Sequence, residues 1–129
     1  MRTLERRTAG SSVSSNSQPT SLLSIDEHRV GRRAVLTAVG EVDISSAADL
    51  QRALETARDG GTAEIWLDLT RTTFMDCKGL RALFDLHASL HAANRRLVVI
   101  CPAGPVLRLL VLTGVDRELE IHPSRTAAQ

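Results

Sequence analysis

The sequence predicts an α/β domain built around a mostly parallel sheet. Three observations predict it. Extended apolar runs alternate with amphipathic patterns of helical period along most of the chain. One run, "RLVVIC" from Arg96 to Cys101, is short and continuously apolar, the pattern of a strand buried on both faces. Glycine and proline punctuate the runs at the places where such elements turn.

The elements follow in order. Leu22 to His28 reads as a first strand and Ala34 to Val39 as a second. The turn at Val30-Gly31-Arg32 joins them as a hairpin. "DISSAADLQRALETARDGG" reads as a helix. Ser45 or Ser46 stands at its N-cap, Asp49 lies at capping-box spacing from Ser46, and Leu50, Leu54 and Ala57 share one face before Gly60 and Gly61. Ala63 to Leu69 is a strand with an apolar centre. Leu80, Leu83, Phe84, His87 and Leu90 mark a second amphipathic helix ending near Asn94. The Arg96–Cys101 strand follows. A third helix is expected from Pro105 to Thr113, with proline in its first turn and Gly114 as its stop. Leu119 to His122 is a short last strand. About three to four helices therefore accompany a parallel sheet with an N-terminal hairpin strand.

The chain has 129 residues, enough for one domain with a real core. Residues 1–21 are Ser-rich and nearly free of apolar side chains, so a disordered tail is expected there; 22–122 form the domain, and 123–129 a frayed C-terminal tail. Aromatic residues make up only 2%, namely Trp66, Phe74 and Phe84, so the core rests on Leu, Val, Ile and Ala. So few rings disfavour a single-strand nucleic-acid platform. A net charge of +1 with scattered basic residues disfavours DNA or a membrane surface as partner. No apolar run approaches the roughly 18 residues of a membrane span, no signal peptide is visible, and two cysteines make no disulfide scaffold. A cytoplasmic protein is expected.

Functional residues in such sheets collect beyond the carboxyl ends of the strands. Asp43, the junction Asp76-Cys77-Lys78-Gly79 and Cys101 all fall there. Glycine-rich nucleotide loops, the nucleophile elbow and the zincin helix are absent, so neither an enzyme nor a cofactor is indicated. Cys77 opens a helix, where the dipole favours a thiolate, but no histidine is placed beside it; a structural cysteine is the simpler reading, with a redox role alongside Cys101 as the alternative. His87 and His91 share a helix face at a spacing that metal ligands use, but no third ligand accompanies them and no metal is expected. Asp76 has the residue type of an N-cap, and a ligand pocket shared by Asp43 and Asp76 stays open.

Three segments carry a family resemblance: "GEVDISSAADLQRAL" (Gly40–Leu54), "LDLTRTTFMDCKGLRAL" (Leu67–Leu83) and "LVVICPAGPVLRLLVLTGVDRELEI" (Leu97–Ile121). In this order and spacing, the chain from Leu22 to His122 resembles the STAS domain of bacterial anti-sigma factor antagonists. The resemblance implies a non-enzymatic regulator of transcription that works by partner switching. It binds an anti-sigma factor, often a serine-kinase-like protein, and so frees a sigma factor. It also implies a contact surface around Asp43 and Asp76, Cys77, Lys78, Gly79 and Leu80. In that family the kinase phosphorylates the hydroxyl residue just before the glycine of an Asp-Ser-Ser-Gly motif.

Here that motif reads Asp76-Cys77-Lys78-Gly79, and the acceptor position holds Lys78. A lysine is no substrate for a Ser/Thr kinase, and its charge is opposite to that of a phosphate. The expected antagonist is therefore not switched at the usual place. Cys77 with Cys101, or the Ser-rich tail, offers other means of control. The alternatives are a diverged STAS signalling module with another protein partner, or a nucleotide or small-ligand sensor.

Overall fold

The computed structural model describes residues 23–129; the expected disordered tail lies outside the described residues. Strands β1 (Leu23–Val30) and β2 (Arg33–Val42) form an antiparallel hairpin with Val30 opposite Arg33. The two-residue turn between them needs a left-handed backbone, which Gly31 supplies at φ 60°. Helix α1 (Ala47–Asp59), strands β3 (Glu64–Asp68) and β4 (Thr72–Met75), helix α2 (Cys77–Ala92), strand β5 (Arg96–Ile100), helix α3 (Pro105–Leu112), strand β6 (Glu120–His122) and helix α4 (Arg125–Ala128) follow. The sheet order is β1-β2-β3-β5-β6, with every pairing after the hairpin parallel.

Two elements differ from the sequence reading. The sequence pattern does not separate strand β4 from the helix junction that follows it. It arises because Asp68 accepts hydrogen bonds from both the amide and the hydroxyl of Thr70, which turns the chain out of β3. The chain then pairs again with the upper half of β2, with Gly40 opposite Thr72 and Val42 opposite Met75. The expected frayed tail after His122 instead holds α4. Ser124 caps it by accepting from the Ala127 amide, and Arg125 Nε donates to Asp68 Oδ2 at 2.7 Å.

The pleat sorts alternate residues of each strand to opposite faces. Leu36, Ala38 and Val42 of β2, Ile65 and Leu67 of β3 and Val99 of β5 enter the main core. There they meet Leu50, Leu54 and Ala57 of α1, Leu83, Leu86 and Leu90 of α2, and Val106 and Leu110 of α3. The other face carries a smaller cluster of Val35, Trp66, Val98 and Ile100, against which Ala128 of α4 packs. Above Trp66 lies the Arg33 guanidinium, 3.8 Å from the ring centre, while the indole N–H donates to Glu64 at 2.9 Å.

Charges continue across that face. Arg96, in register with Glu64, reaches Glu64 at 3.3 Å and donates Nε to Glu120 Oε1 at 2.7 Å. His122 Nε2 lies 2.9 Å from the same carboxylate. The bond from Arg96 chiefly, with the contact to His122, outweighs partial desolvation and holds the Glu120 carboxyl down at about 2, against an ordinary 4.5. A depressed carboxyl adds stability above its unfolded pKa and loses it as pH falls towards the folded value. Urea unfolding between pH 5 and about pH 2 is therefore expected to show falling stability, with a shallower decline in Glu120→Gln. An unchanged slope in the variant would show that the contact carries no linkage.

Candidate functional site

The site is built where β2 and β4 end together. Val42 and Met75 are paired, and the Asp76 amide donates to the Val42 carbonyl at 2.8 Å. The two chains then leave the sheet side by side, each led by an aspartate. Asp76 has extended backbone at the N-cap of α2, and its Oδ1 accepts from the amides of Lys78 at 3.0 Å and Gly79 at 3.1 Å. This is the cap expected from sequence; it satisfies two of the amides that a helix start leaves open.

Asp43 works differently. Its Oδ1 accepts from the Ser45 hydroxyl at 2.7 Å and from the Ser45 and Ser46 amides at 3.0 and 3.1 Å. The Ser45 hydroxyl leads these bonds, which outweigh the desolvation cost and hold the carboxyl below its ordinary value. Ser46 does occupy the N-cap of α1, but its side chain does not cap. The buried hydroxyl accepts from the Asp43 amide at 2.9 Å and donates to the Glu41 carbonyl at 2.8 Å, so the expected capping box with Asp49 does not form. Each aspartate thus organises its own loop, and neither hydrogen-bonds the other.

Gly79 shows why α2 can start so close to the sheet. A Cβ there would stand 2.6 Å from Val42 Cγ1 and 3.0 Å from Met75 Cγ. Only glycine admits the approach. Leu80, expected at the contact surface, is buried and packs into the main core, as does Met75. Cys77 and Lys78 are exposed. The exposed apolar side chains at this end are instead Ile44, 72% exposed in the loop after β2, and Phe74, 47% exposed on β4. Sequence reasoning missed both. Ile44 sits within a capping loop, and Phe74 breaks the alternation of its strand, where Thr73 and Phe74 are both exposed.

Cys77 and Cys101 are both free thiols, one exposed and one buried. Burial pushes the Cys101 thiol up to about 11, so it carries little thiolate near neutral pH. The structure does not bring the two together as a disulfide. His87 and His91 stack with ring centres 5.8 Å apart at the far end of α2. They border an open cleft of about 370 Å³ with Arg95, Arg96 and Glu118. Among the described residues no group of three or more His, Cys, Asp or Glu side chains is placed to hold a metal, and no helix is long and apolar enough to cross a membrane.

Residues 24–128 match the STAS domain family. The chain belongs to it. An anti-sigma-B factor antagonist of Staphylococcus aureus is 26% identical over 83 residues, covering 64% of this chain and 77% of that protein. Among solved structures, an anti-sigma factor antagonist from Mycobacterium paratuberculosis superposes with a TM-score of 0.79 at 22% identity, covering 88% of this chain and 95% of that one. The Bacillus antagonist SpoIIAA in its phosphorylated form gives 0.63 at 20% identity, covering 81% and 96%. These structures share the STAS fold with this chain, and the curated relatives are anti-sigma factor antagonists.

The STAS domain's site yields a test of its construction. Gly79→Ala is expected to cost about 1–3 kcal/mol through overpacking against Val42, despite the better helix propensity of alanine. Asp76→Ala should cost about 0.5–2 kcal/mol through loss of the cap. Denaturant unfolding measures both. Wild-type stability in Gly79→Ala would show that α2 moves off the sheet freely.

Proposed function

We propose that this chain is an anti-sigma factor antagonist. It binds a kinase-like anti-sigma factor through the loop of Asp43 and the start of α2, and thereby frees a sigma factor for RNA polymerase in the cytoplasm. The observation that carries the reading is an Asp76-capped start of α2 with Cys77 and Lys78 exposed, at the strand ends that also carry two exposed apolar side chains, Phe74 on β4 and Ile44 in the loop after β2. A capped helix end beside apolar anchors is suited to docking a protein.

Lys78 sets how such docking is controlled. Phosphorylation would add a charge of about −1.5 to −2 to the contact surface, enough to reverse an interface. Lysine offers no hydroxyl to a serine kinase and keeps the position positive. Binding is therefore not switched off at this position, and control acts elsewhere.

The test uses the purified full chain and the kinase-type anti-sigma factors encoded in the same genome. At least one should retain the chain with or without Mg·ATP, and no phosphate should map to residues 72–84. Lys78→Ser is expected to gain both phosphorylation and ATP-dependent release. Failure to bind any of them, or ATP-driven release of the wild type with phosphate at the junction, defeats the proposal.

A further inference from the structure

The cleft at the far end of α2 is built around a cation without a counter-charge. Helix α2 ends where Asn94 takes a left-handed backbone at φ 58°. The amides of Ala93 and Arg95 return to the Leu90 carbonyl and that of Asn94 to the His91 carbonyl, so these acceptors of the last turn are already filled. Arg95 then lies half-buried in the connection to β5. Its Nε donates to the Thr62 carbonyl at 2.8 Å, but its Nη2 is buried and has no partner among the described residues. Nor does any carboxylate of the described residues pair with it. Glu64 and Glu120 are held by Arg96, and Glu118, which also lines the cleft, is exposed. A partly buried guanidinium in this state has given up water for less than its full set of acceptors, which is costly. Beside it the cleft offers apolar and planar surface. The imidazoles of His87 and His91 stack with their planes 26° apart, and the buried side chains of Leu97 and Leu119 line the same space. At about 370 Å³ the cleft has the size that takes a small organic molecule.

We propose that this cleft binds a small organic oxyanion, a phosphate or carboxylate carried on a planar or apolar body. The oxyanion pairs with the edge of the Arg95 guanidinium that Thr62 leaves free. The body lies against the His87 and His91 rings and the two leucines. A guanidinium recognises phosphate and carboxylate through the same fork of donors, so the shared chemistry is what the cleft selects. Glu118 carries the one charge of the cleft that opposes such a ligand, because Glu120 is already neutralised by Arg96 and lies against His122. The site is separate from the proposed docking surface. Helix α2 opens on Asp76 and closes before Arg95, so the two lie at its opposite ends, and the proposal does not depend on the docking reading. No covalent bond forms or breaks in this contact.

The experiment titrates the isotope-labelled full chain with phenyl phosphate, benzoate, inorganic phosphate and phenol, and follows the amide resonances by NMR. Phenyl phosphate or benzoate should shift the amides of residues 87–97 and 118–120 in a saturable way in the millimolar range, and the tighter of the two names the oxyanion. Phenol and inorganic phosphate, each carrying half of the ligand, should bind about 10-fold more weakly or less. Arg95→Gln is expected to weaken binding about 10- to 100-fold. Glu118→Gln, which removes a like charge from an exposed position, should tighten it about 2- to 5-fold. No saturable shift with either organic anion, shifts confined to other residues, or unchanged affinity in Arg95→Gln overturns the proposal. Should Arg95→Gln lose its native spectrum, Glu118→Gln decides: binding no tighter than wild type overturns it. Inorganic phosphate binding as tightly as phenyl phosphate reduces the cleft to a place for an adventitious ion only and overturns it as well.

Discussion

The pairing of Val42 with Met75 is the constraint on which the candidate site depends. Both side chains are buried, and the backbone bond from Asp76 to the Val42 carbonyl closes the pair. That closure sets where β2 and β4 release their chains, and so where Asp43 and Asp76 begin their loops. It also fixes the floor under α2, because Gly79 rests on Val42 with no room for a side-chain carbon. Packed interiors deform little, so a shift of one strand end would carry the helix start and Lys78 with it.

Much of this was readable in the sequence because it rests on local chemistry. Asp76 before a helical pattern, Pro105 at the first turn of α3 and the Gly31 turn each act through neighbours in the chain, and each stands as expected. The STAS fold itself was readable through three motifs in order. Strand β4 was not, because what defines it is a register with β2 more than thirty residues away in sequence. Four residues starting and ending buried, with two exposed between them, carry no strand period. Helix α4 was hidden for a similar reason. Its anchor is the Arg125 bond to Asp68, a partner 57 positions away, and composition alone makes that segment look loose.

At the candidate site the sequence names polar residues more readily than exposed apolar ones. Residue types named Asp43, Asp76 and Lys78, since capping and charge are properties of single residues. Burial is a property of the fold. Leu80 looked available and is core, while Ile44 looked incidental and is 72% exposed. The same limit governed the cysteines. Both follow strands in sequence, but Cys101 sinks into the main core and Cys77 opens a helix at the surface.

The proposed docking surface is stiff. Its helix start is capped, its glycine is wedged against a strand, and its loop serine is buried with every bond satisfied. A stiff surface is switched by a change of charge more readily than by a change of shape, because each shape change must first break a cap or open the core. The charge at its tip is fixed in this chain. Lys78 carries a charge whose sign opposes that of a phosphate. On the proposed reading, a surface of this kind would control its partner by abundance: occupancy would follow the concentration of the chain relative to its dissociation constant, and release would follow dilution or degradation rather than a covalent mark. On the proposed reading, the amount of the antagonist itself becomes the signal.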